Sequence, residues 1–237
     1  MKAMILAAGL GTRFKPWTDK HPKALALVNG KTLLERNIVY LQSVGIKDVL
    51  VNVHHFAGQI QDAIKENNGW GSRITISDES GEVLETGGGL KKARAFFDQG
   101  PFVLMNADIL TDLDLRALIS YHEEKKSLAT LAVTNRKSAR YFLFDKSNRL
   151  SGWRNTKTGE EIISIRNIEL NEKAFSGIHV VSPEIFPLIR QQGKFSIVEV
   201  YLDLAAHYPI MGFDHSGSKL VDVGKPEAIS TAENLFH

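Results

Sequence analysis

The chain has 237 residues, enough for one large α/β domain, and its 29 basic and 27 acidic residues give a formal net charge of only +2. This balance argues against nucleic acid or a membrane surface as a partner. The absence of cysteine excludes disulfides, thiolate catalysis and cysteine metal sites, and it agrees with the cytoplasmic location that we expect. The chain begins on a predicted strand rather than a signal peptide, and no apolar run is long enough to predict a membrane span.

The most informative stretch is the first twenty-five residues, where a predicted apolar strand runs into a loop of small residues. Small side chains let successive backbone amides turn inward as an anion-binding nest. Thr12 adds a hydroxyl, Arg13 adds a planar guanidinium suited to phosphate oxygens, and Lys23 adds a second cation ten residues later. The stretch therefore predicts a polyphosphate site. Its small residues are Ala7, Ala8, Gly9 and Gly11.

Two better-known phosphate loops do not fit this stretch. The dinucleotide motif G-x-G-x-x-G requires a third small residue where this chain has Phe14. The P-loop motif requires G-x-x-x-x-G-K-[S/T], which neither Gly9 nor Gly11 begins. The sequence therefore excludes a dinucleotide-binding dehydrogenase and a P-loop NTPase.

The spacing Leu6-Ala7-Ala8-Gly9-x-Gly11-Thr12-Arg13, followed by Pro16 and by Pro22-Lys23-x-Leu25, resembles the N-terminal motif of the sugar-1-phosphate nucleotidylyltransferases. The resemblance implies a GT-A-like fold and a single nucleotidyltransferase domain over residues 1–237. In that domain, residues 1–110 would be the nucleotide-binding half and residues 111–237 the sugar-binding half. The alternative is an ordinary glycine-rich turn with a surface Arg13 and Lys23.

Strands and helices alternate along the first half of the chain. Thr32-x-x-Glu35 has the spacing of a capping box, and the helix that it starts would end at Gly45. Strands are predicted at residues 48–53 and 74–76, with a helix between them. This alternation predicts a three-layer α/β/α, Rossmann-like fold whose mixed sheet is mostly parallel.

A run of three glycines follows Thr86 and precedes a predicted helix at residues 90–97. Glycines at a helix start would let a flat or anionic group approach free backbone amides, so Thr86, Gly87 and Gly88 are candidate nucleotide-binding residues. In many members of the family the corresponding segment cradles the base. Glu79 or Glu85 could accept a hydrogen bond from uracil, thymine or guanine, which carry a ring N–H, although both could equally be exposed loop residues.

Two aspartates follow apolar strands far apart in the sequence. Asp108 comes directly after the predicted strand 102–105, where a carboxylate can hold a divalent cation against phosphates. Asp222 lies in a C-terminal Asp-x-Gly-x-Pro element, and the resemblance implies that Asp108 and Asp222 both bind Mg²⁺. In this element Leu220 replaces the Trp of relatives, which alters packing more than chemistry.

The pattern changes after residue 138 to short strands separated by polar turns. This predicts a small antiparallel hairpin region, which in the family lies on the sugar side. Tyr141 stands where relatives tend to have an acidic residue, and Ser176 and Gly177 lie on a strand that returns to the main sheet. With Asn106, these residues are the candidate sugar-binding set. Ser182 and Pro183 then predict the start of a helix.

The candidate catalytic set is Arg13, Lys23, Asp108 and Asp222, which suits phosphoryl transfer without a protein nucleophile. The resemblance implies a nucleoside triphosphate and a sugar 1-phosphate as partners. Residues 85–89 and 175–178 look most like the N-acetylmuramate 1-phosphate uridylyltransferases of cell-wall recycling. A mannose or glucose 1-phosphate transferase using GTP or dTTP and a non-catalytic sugar-nucleotide-binding protein remain alternatives, and the expected state is a monomer or small homo-oligomer.

Overall fold

The computed structural model describes residues 1–97, 99–166 and 169–236. The strands of the first half are β1 (Lys2–Leu6), β2 (Leu27–Val28), β3 (Lys31–Thr32), β4 (Asp48–Val53), β5 (Arg73–Asp78), β6 (Phe102–Asn106) and β7 (Ile109–Thr111). Those of the second half are β8 (Ala129–Thr134), β9 (Arg140–Phe144), β10 (Leu150–Asn155), β11 (Glu161–Ile163), β12 (Asn171–Val181), β13 (Ile210–Asp214) and β14 (Leu220–Asp222). The α-helices are α1 (Leu33–Ser43), α2 (Ala57–Glu66), α3 (Glu85–Lys92), α4 (Leu115–Lys125), α5 (Ile197–Leu204) and α6 (Ala228–Leu235).

The central sheet has the order β11-β10-β9-β12-β6-β1-β4-β5, and β8 joins it by pairing with β12 and β13. Strands β6, β1, β4 and β5 are parallel, and β12 runs antiparallel to β6. Because β8 is antiparallel to β12 and parallel to β13, both β8 and β13 run in the direction of β6. The predicted mixed, mostly parallel sheet is confirmed, and β9, β10 and β11 form the predicted antiparallel region.

Two hydrophobic clusters lie on opposite faces of this sheet, because successive side chains of a strand point to opposite sides. Met4 of β1 packs in one cluster with Leu90 of α3 and Tyr201 of α5. Ile5, the next residue, packs in the other with Leu34 of α1, and α2 and α4 contribute to the same cluster. Helices therefore cover both faces, which gives the predicted three layers.

Local capping signals place two of the helices. The Thr32 side chain accepts a hydrogen bond from the Glu35 amide, and Asp114 caps α4 by accepting from the amides of Arg116 and Ala117. The helix predicted from Ser182 is wrong in type: residues Pro183–Leu188 form a 3-10 helix with Pro187 inside it. The Ser182 hydroxyl caps nothing and instead donates to the carbonyl of Ser127.

Two elements lie in a stretch for which the sequence patterns predicted nothing. Helix α5 begins with a complete capping box between Ser196 and Glu199, a spacing that was visible in the sequence. Strand β13 pairs with β8 and extends the sheet beyond that strand. In the described part of the chain, no helix is both long and apolar enough to cross a bilayer.

Candidate active site

The loop that follows β1 lies at the carboxyl edge of the sheet, since β1 is central between β4 and β6. Gly11 has φ 61°, in the left-handed region, and a Cβ there would come within 2.8 Å of the Thr18 methyl carbon. The Thr18 hydroxyl donates to the Gly11 carbonyl at 3.0 Å, and buried Phe14 anchors the following turn. Glycine is therefore required here by backbone and packing together.

One backbone amide of this loop is hydrogen-bonded within the protein, and the next four have no acceptor among the described residues. The Ala7 amide donates to Asn52 Oδ1 at 2.7 Å, so it is not available to a ligand. The amides of residues 8–11 donate to no acceptor among the described residues. The run of open amides therefore begins at Ala8 rather than at Ala7, and Asn52 holds Ala7, the residue before it, in place.

The two predicted metal-binding carboxylates come together through a strand pair that the sequence did not predict. Strand β14 runs antiparallel to β7, with Asp222 opposite Ile109, and the Val223 amide donates to the Asp108 carbonyl at 2.8 Å. Asp222 is therefore beside Asp108, although 114 positions separate them in the chain. Asp108 is four-fifths buried and accepts a hydrogen bond from the Lys23 ammonium.

Arg13 lies on the other side of Asp222. A Cβ on Gly224 would lie 2.8 Å from Asp222 Oδ1 and 3.3 Å from an Arg13 guanidinium nitrogen, so Gly224 leaves room for both groups. Arg13, Asp222 and Gly224 also line a smaller adjoining hollow of about 370 Å³. The structure thus brings all four predicted catalytic residues to one edge of the sheet.

The pKa of Asp222 is shifted by its partial burial and by the charged groups around it. Partial burial in the crevice raises the pKa of Asp222 above its ordinary value, and the negative charge of Asp108 raises it further. The nearby cations Lys23, Arg13 and Arg136 act in the opposite direction. Two neighbouring carboxylates that repel one another form a site that a divalent cation would stabilise.

The donor set at this position fits magnesium. Mg²⁺ is usually held by one or two carboxylates, with substrate phosphates and water completing the octahedron. Asp108 lines the main cavity, Asp222 lines the adjoining hollow, and the pairing of β14 with β7 brings the two carboxylates together. Among the described residues, no cluster of three or more acidic or histidine side chains forms a closed protein cage.

The cavity has a volume of about 530 Å³ and lies over the carboxyl ends of β1, β4 and β6. Most of the predicted residues line it. They are Ala7, Ala8, Gly9, Gly11, Thr12, Arg13, Lys23, Glu85, Thr86, Asn106 and Asp108.

The glycine run lies inside α3 rather than before it, which corrects the prediction that its amides are free. The amides of Gly87 and Gly88 both donate to the Phe195 carbonyl. A Cβ on Gly87 would overlap the Phe195 ring, and one on Gly88 would overlap the Gly193 carbonyl. The glycines therefore serve the close packing of α3 on the segment 193–197, and they do not line the cavity.

Glu79 is also placed differently from the prediction. Its side chain is 1 % exposed, accepts from Asn52 Nδ2 at 2.7 Å and from the Leu84 amide at 3.2 Å, and does not line the cavity. It therefore supports Asn52, which in turn holds Ala7. Glu85 lines the cavity and is exposed, so of the two glutamates it alone can reach a ligand.

The predicted sugar-binding residues do not form one surface. Asn106 lines the cavity, whereas Ser176 is fully buried and its hydroxyl bonds to His215 Nε2 at 2.7 Å. Gly177 has φ 75°, and a Cβ there would come within 2.8 Å of Asn106 Nδ2. Gly177 therefore makes room for the Asn106 amide rather than for a ligand, and Tyr141 lies outside the cavity, where its hydroxyl accepts from the Ser138 amide.

Several cavity residues were missed by sequence reasoning. The segment 193–197 reaches the cavity from the second half of the chain, with the Ile197 amide donating to Thr86 Oγ1 at 3.0 Å. Lys194 forms an ion pair with Glu85 at 3.5 Å. Long-range contacts of this kind leave no local pattern. The missed lining residues are Leu6, Leu10, Ala24, Asn52, Val83, Ala107, Lys194, Ser196 and Gly224.

Comparison with known proteins now decides the family. The model of the family described as "Nucleotidyl transferase" matches residues 2–148, more than half of the chain. The chain belongs to the nucleotidyl transferase family. The N-acetylmuramate alpha-1-phosphate uridylyltransferase of Caulobacter vibrioides is 33% identical over 98% of this chain and 95% of that protein. The protein of the same name from Neisseria meningitidis serogroup B is 40% identical over 49% of this chain and 51% of its own length.

A solved structure has the same fold as this nucleotidyl transferase. The putative glucose-1-phosphate thymidylyltransferase of Bacillus anthracis superposes with a TM-score of 0.82, at 16% identity, over 99% of this chain and 94% of that one. The predicted GT-A-like α/β fold is confirmed. The predicted enzyme class, a sugar-1-phosphate nucleotidylyltransferase, is also confirmed by the family match and by the relatives.

Proposed function

We propose that this nucleotidyl transferase moves a uridylyl group from UTP to N-acetylmuramate 1-phosphate, with Mg²⁺ as the cofactor, in a cytoplasmic step of cell-wall recycling. The observation that carries the choice of substrates is the likeness to the Caulobacter protein, which extends over nearly all of both chains. The products are the corresponding UDP-sugar and pyrophosphate.

The chemistry follows from the charged groups around the cavity. A phosphate oxygen of the sugar 1-phosphate attacks the α-phosphorus of UTP, a new P–O bond forms, and the bond between the α- and β-phosphates breaks. Its electron pair leaves with pyrophosphate, which Arg13 and the open amides of residues 8–11 bind. No general base is needed, because the attacking phosphate is already ionised at neutral pH.

Lys23 lies between the loop and Asp108 and is placed to bridge the α-phosphate and the sugar phosphate. Asn106 lines the same cavity and would contact the sugar. Asp108 and Asp222 would hold Mg²⁺, which would supply charge neutralisation at the phosphates. Catalysis in this scheme is positioning and electrostatic stabilisation.

The base would lie at the other end of the cavity, beside Glu85, Thr86 and Lys194. Glu85 supplies an acceptor and Lys194 a donor, which suits a base edge that carries N–H next to a carbonyl. Uracil has such an edge, but so do thymine and guanine. A mannose or glucose 1-phosphate transferase using GTP or dTTP is therefore the second candidate.

The test is Mg²⁺-dependent release of pyrophosphate across a matrix of UTP, dTTP, GTP, CTP and ATP against several sugar 1-phosphates. The Asp108→Asn variant serves as the inactive control. Highest activity with UTP and N-acetylmuramate 1-phosphate would support the proposal, and a maximum at another pair would replace the substrates. No turnover by folded protein that still binds UDP-sugar would point to a non-catalytic binding protein instead.

A further inference from the structure

The connection from β8 to β9 carries a group of unpaired cations. We call residues 135–140, which are the connection 135–139 and the first residue of β9, the basic loop; it contains Arg136, Lys137 and Arg140, all exposed. None of these three side chains forms an ion pair within the described residues. Cations nearby are neutralised, since Lys173 pairs with Asp214 and Arg154 pairs with two glutamates.

The topology places the basic loop on the sugar side of the active site. Strands β6 and β8 run in the same direction on either side of β12, so the carboxyl end of β8 lies at the same edge as Asn106 and Asp108. Adjacent strands are about 4.8 Å apart, which puts the start of the loop roughly 10 Å across the sheet from β6. A sugar held at Asn106 would extend along this edge toward the loop.

Among the three cations of the basic loop, Arg136 is the one whose side chain is held in a fixed direction, by a hydrogen bond to the backbone of β12. Its Nη2 donates to the Phe175 carbonyl at 2.7 Å, immediately before the residues of β12 that pack beside Asn106. Gly177, two residues further along β12, lies against Asn106, so this hydrogen bond holds the guanidinium near the active-site edge. Asp214, the acidic neighbour on β13, is already held by Lys173. The remaining guanidinium donors face no acceptor among the described residues.

We propose that Arg136 binds the carboxylate of the lactyl group of the sugar and thereby selects an acidic sugar 1-phosphate over a neutral one. This inference rests on the proposed function, because the lactyl ether is what distinguishes N-acetylmuramate from N-acetylglucosamine. A planar guanidinium with free N–H groups is well matched to a carboxylate. Arg136 would thus determine specificity while Arg13 and Lys23 handle the phosphates.

The experiment compares kcat/KM for two acceptors that differ in one group: N-acetylmuramate 1-phosphate and the same compound with its lactyl carboxyl converted to the primary amide. Wild type, Arg136→Gln and Arg136→Lys are measured with UTP and Mg²⁺. Arg73→Gln is the matched control, since Arg73 is exposed at the opposite edge of the sheet and pairs with Asp48. Comparing the acid-to-amide ratio of kcat/KM among the four proteins cancels any general loss of activity that affects both acceptors equally.

We expect wild type and Arg73→Gln to prefer the acid over the amide at least tenfold. Arg136→Gln should lose this preference, and Arg136→Lys should keep part of it. An acid-to-amide ratio that is the same in Arg136→Gln and wild type overturns the role of Arg136 and leaves the proposed function standing. If wild type uses neither acceptor but turns over another sugar 1-phosphate, the proposed function itself is wrong and this inference falls with it.

Discussion

The Lys23 ammonium contacts a carboxylate oxygen of Asp108, and the two side chains are only 17% and 18% exposed. Lys23 comes from the turn after Pro22, and Asp108 comes from the end of β6. Because the pair is partly desolvated, each group fixes the position of the other more firmly than an exposed ion pair would. The contact therefore holds the cation that we propose to bind phosphate next to the carboxylate that we propose to bind the metal.

Replacing Lys23 with glutamine should lower kcat about 100-fold, a typical loss for removal of one positioned group that stabilises developing charge. The measurement is pyrophosphate release at saturating UTP and sugar 1-phosphate. Lys20→Gln is the control, since Lys20 is an exposed lysine three residues earlier in the chain. An unchanged kcat in Lys23→Gln would contradict the phosphate role.

Asp108→Asn and Asp222→Asn should each reduce Mg²⁺-dependent turnover about 1,000-fold or more, because either change removes half of the carboxylate pair. Circular dichroism and the thermal midpoint should remain close to wild type, since both side chains lie at the cavity edge rather than in the hydrophobic core. Asp62→Asn, on the exposed face of α2, is the control. Wild-type activity of either variant in Mg²⁺ would remove that residue from the metal site.

The packing of α3 gives a stability prediction with a matched pair of glycines. Gly88→Ala should lower the free energy of unfolding by about 1–3 kcal/mol and raise KM for the nucleotide, because the new Cβ meets the backbone carbonyl of Gly193. Gly58→Ala in α2 meets no atom within 4 Å and should instead stabilise by about 0.5–1 kcal/mol. Urea unfolding of both variants checks this. Equal effects would mean that helix propensity, not packing, governs these positions.

Two buried histidines predict how stability depends on pH. Burial lowers the pKa of His122 to about 4 and that of His179 to about 3, below the ordinary 6.5. The unfolded chain therefore takes up protons that the folded chain does not, so stability should fall as pH drops below about 6.5. We expect a loss on the order of 1–2 kcal/mol per histidine between pH 6.5 and pH 5.

Equilibrium unfolding in urea from pH 7.5 to pH 5 measures this loss. The variant His122→Gln, whose amide can replace the contacts to Thr130 and Ser182, should show a shallower pH dependence than wild type. A variant with the same slope as wild type would mean that His122 is not the group responsible.

Local sequence patterns determined much of the fold. The apolar strand before Ala8, the Thr32 cap and the alternation of strands with helices predicted a mostly parallel three-layer sheet. The candidate phosphate-binding loop with Arg13 and Lys23 could be recognised because its residues lie within twenty-five consecutive positions. These features could be predicted since neighbours in the chain produce them.

Only the tertiary structure determines which residues that are far apart in the sequence come into contact. Asp222 lies beside Asp108 through the pairing of β14 with β7, and residues of segment 193–197 line the cavity. The same long-range packing buries Glu79 under the first loop and fills the space beside Gly88. Residue types in a sequence show what chemistry is available, but contacts between segments about a hundred residues apart determine whether a given side chain faces a ligand or supports the fold.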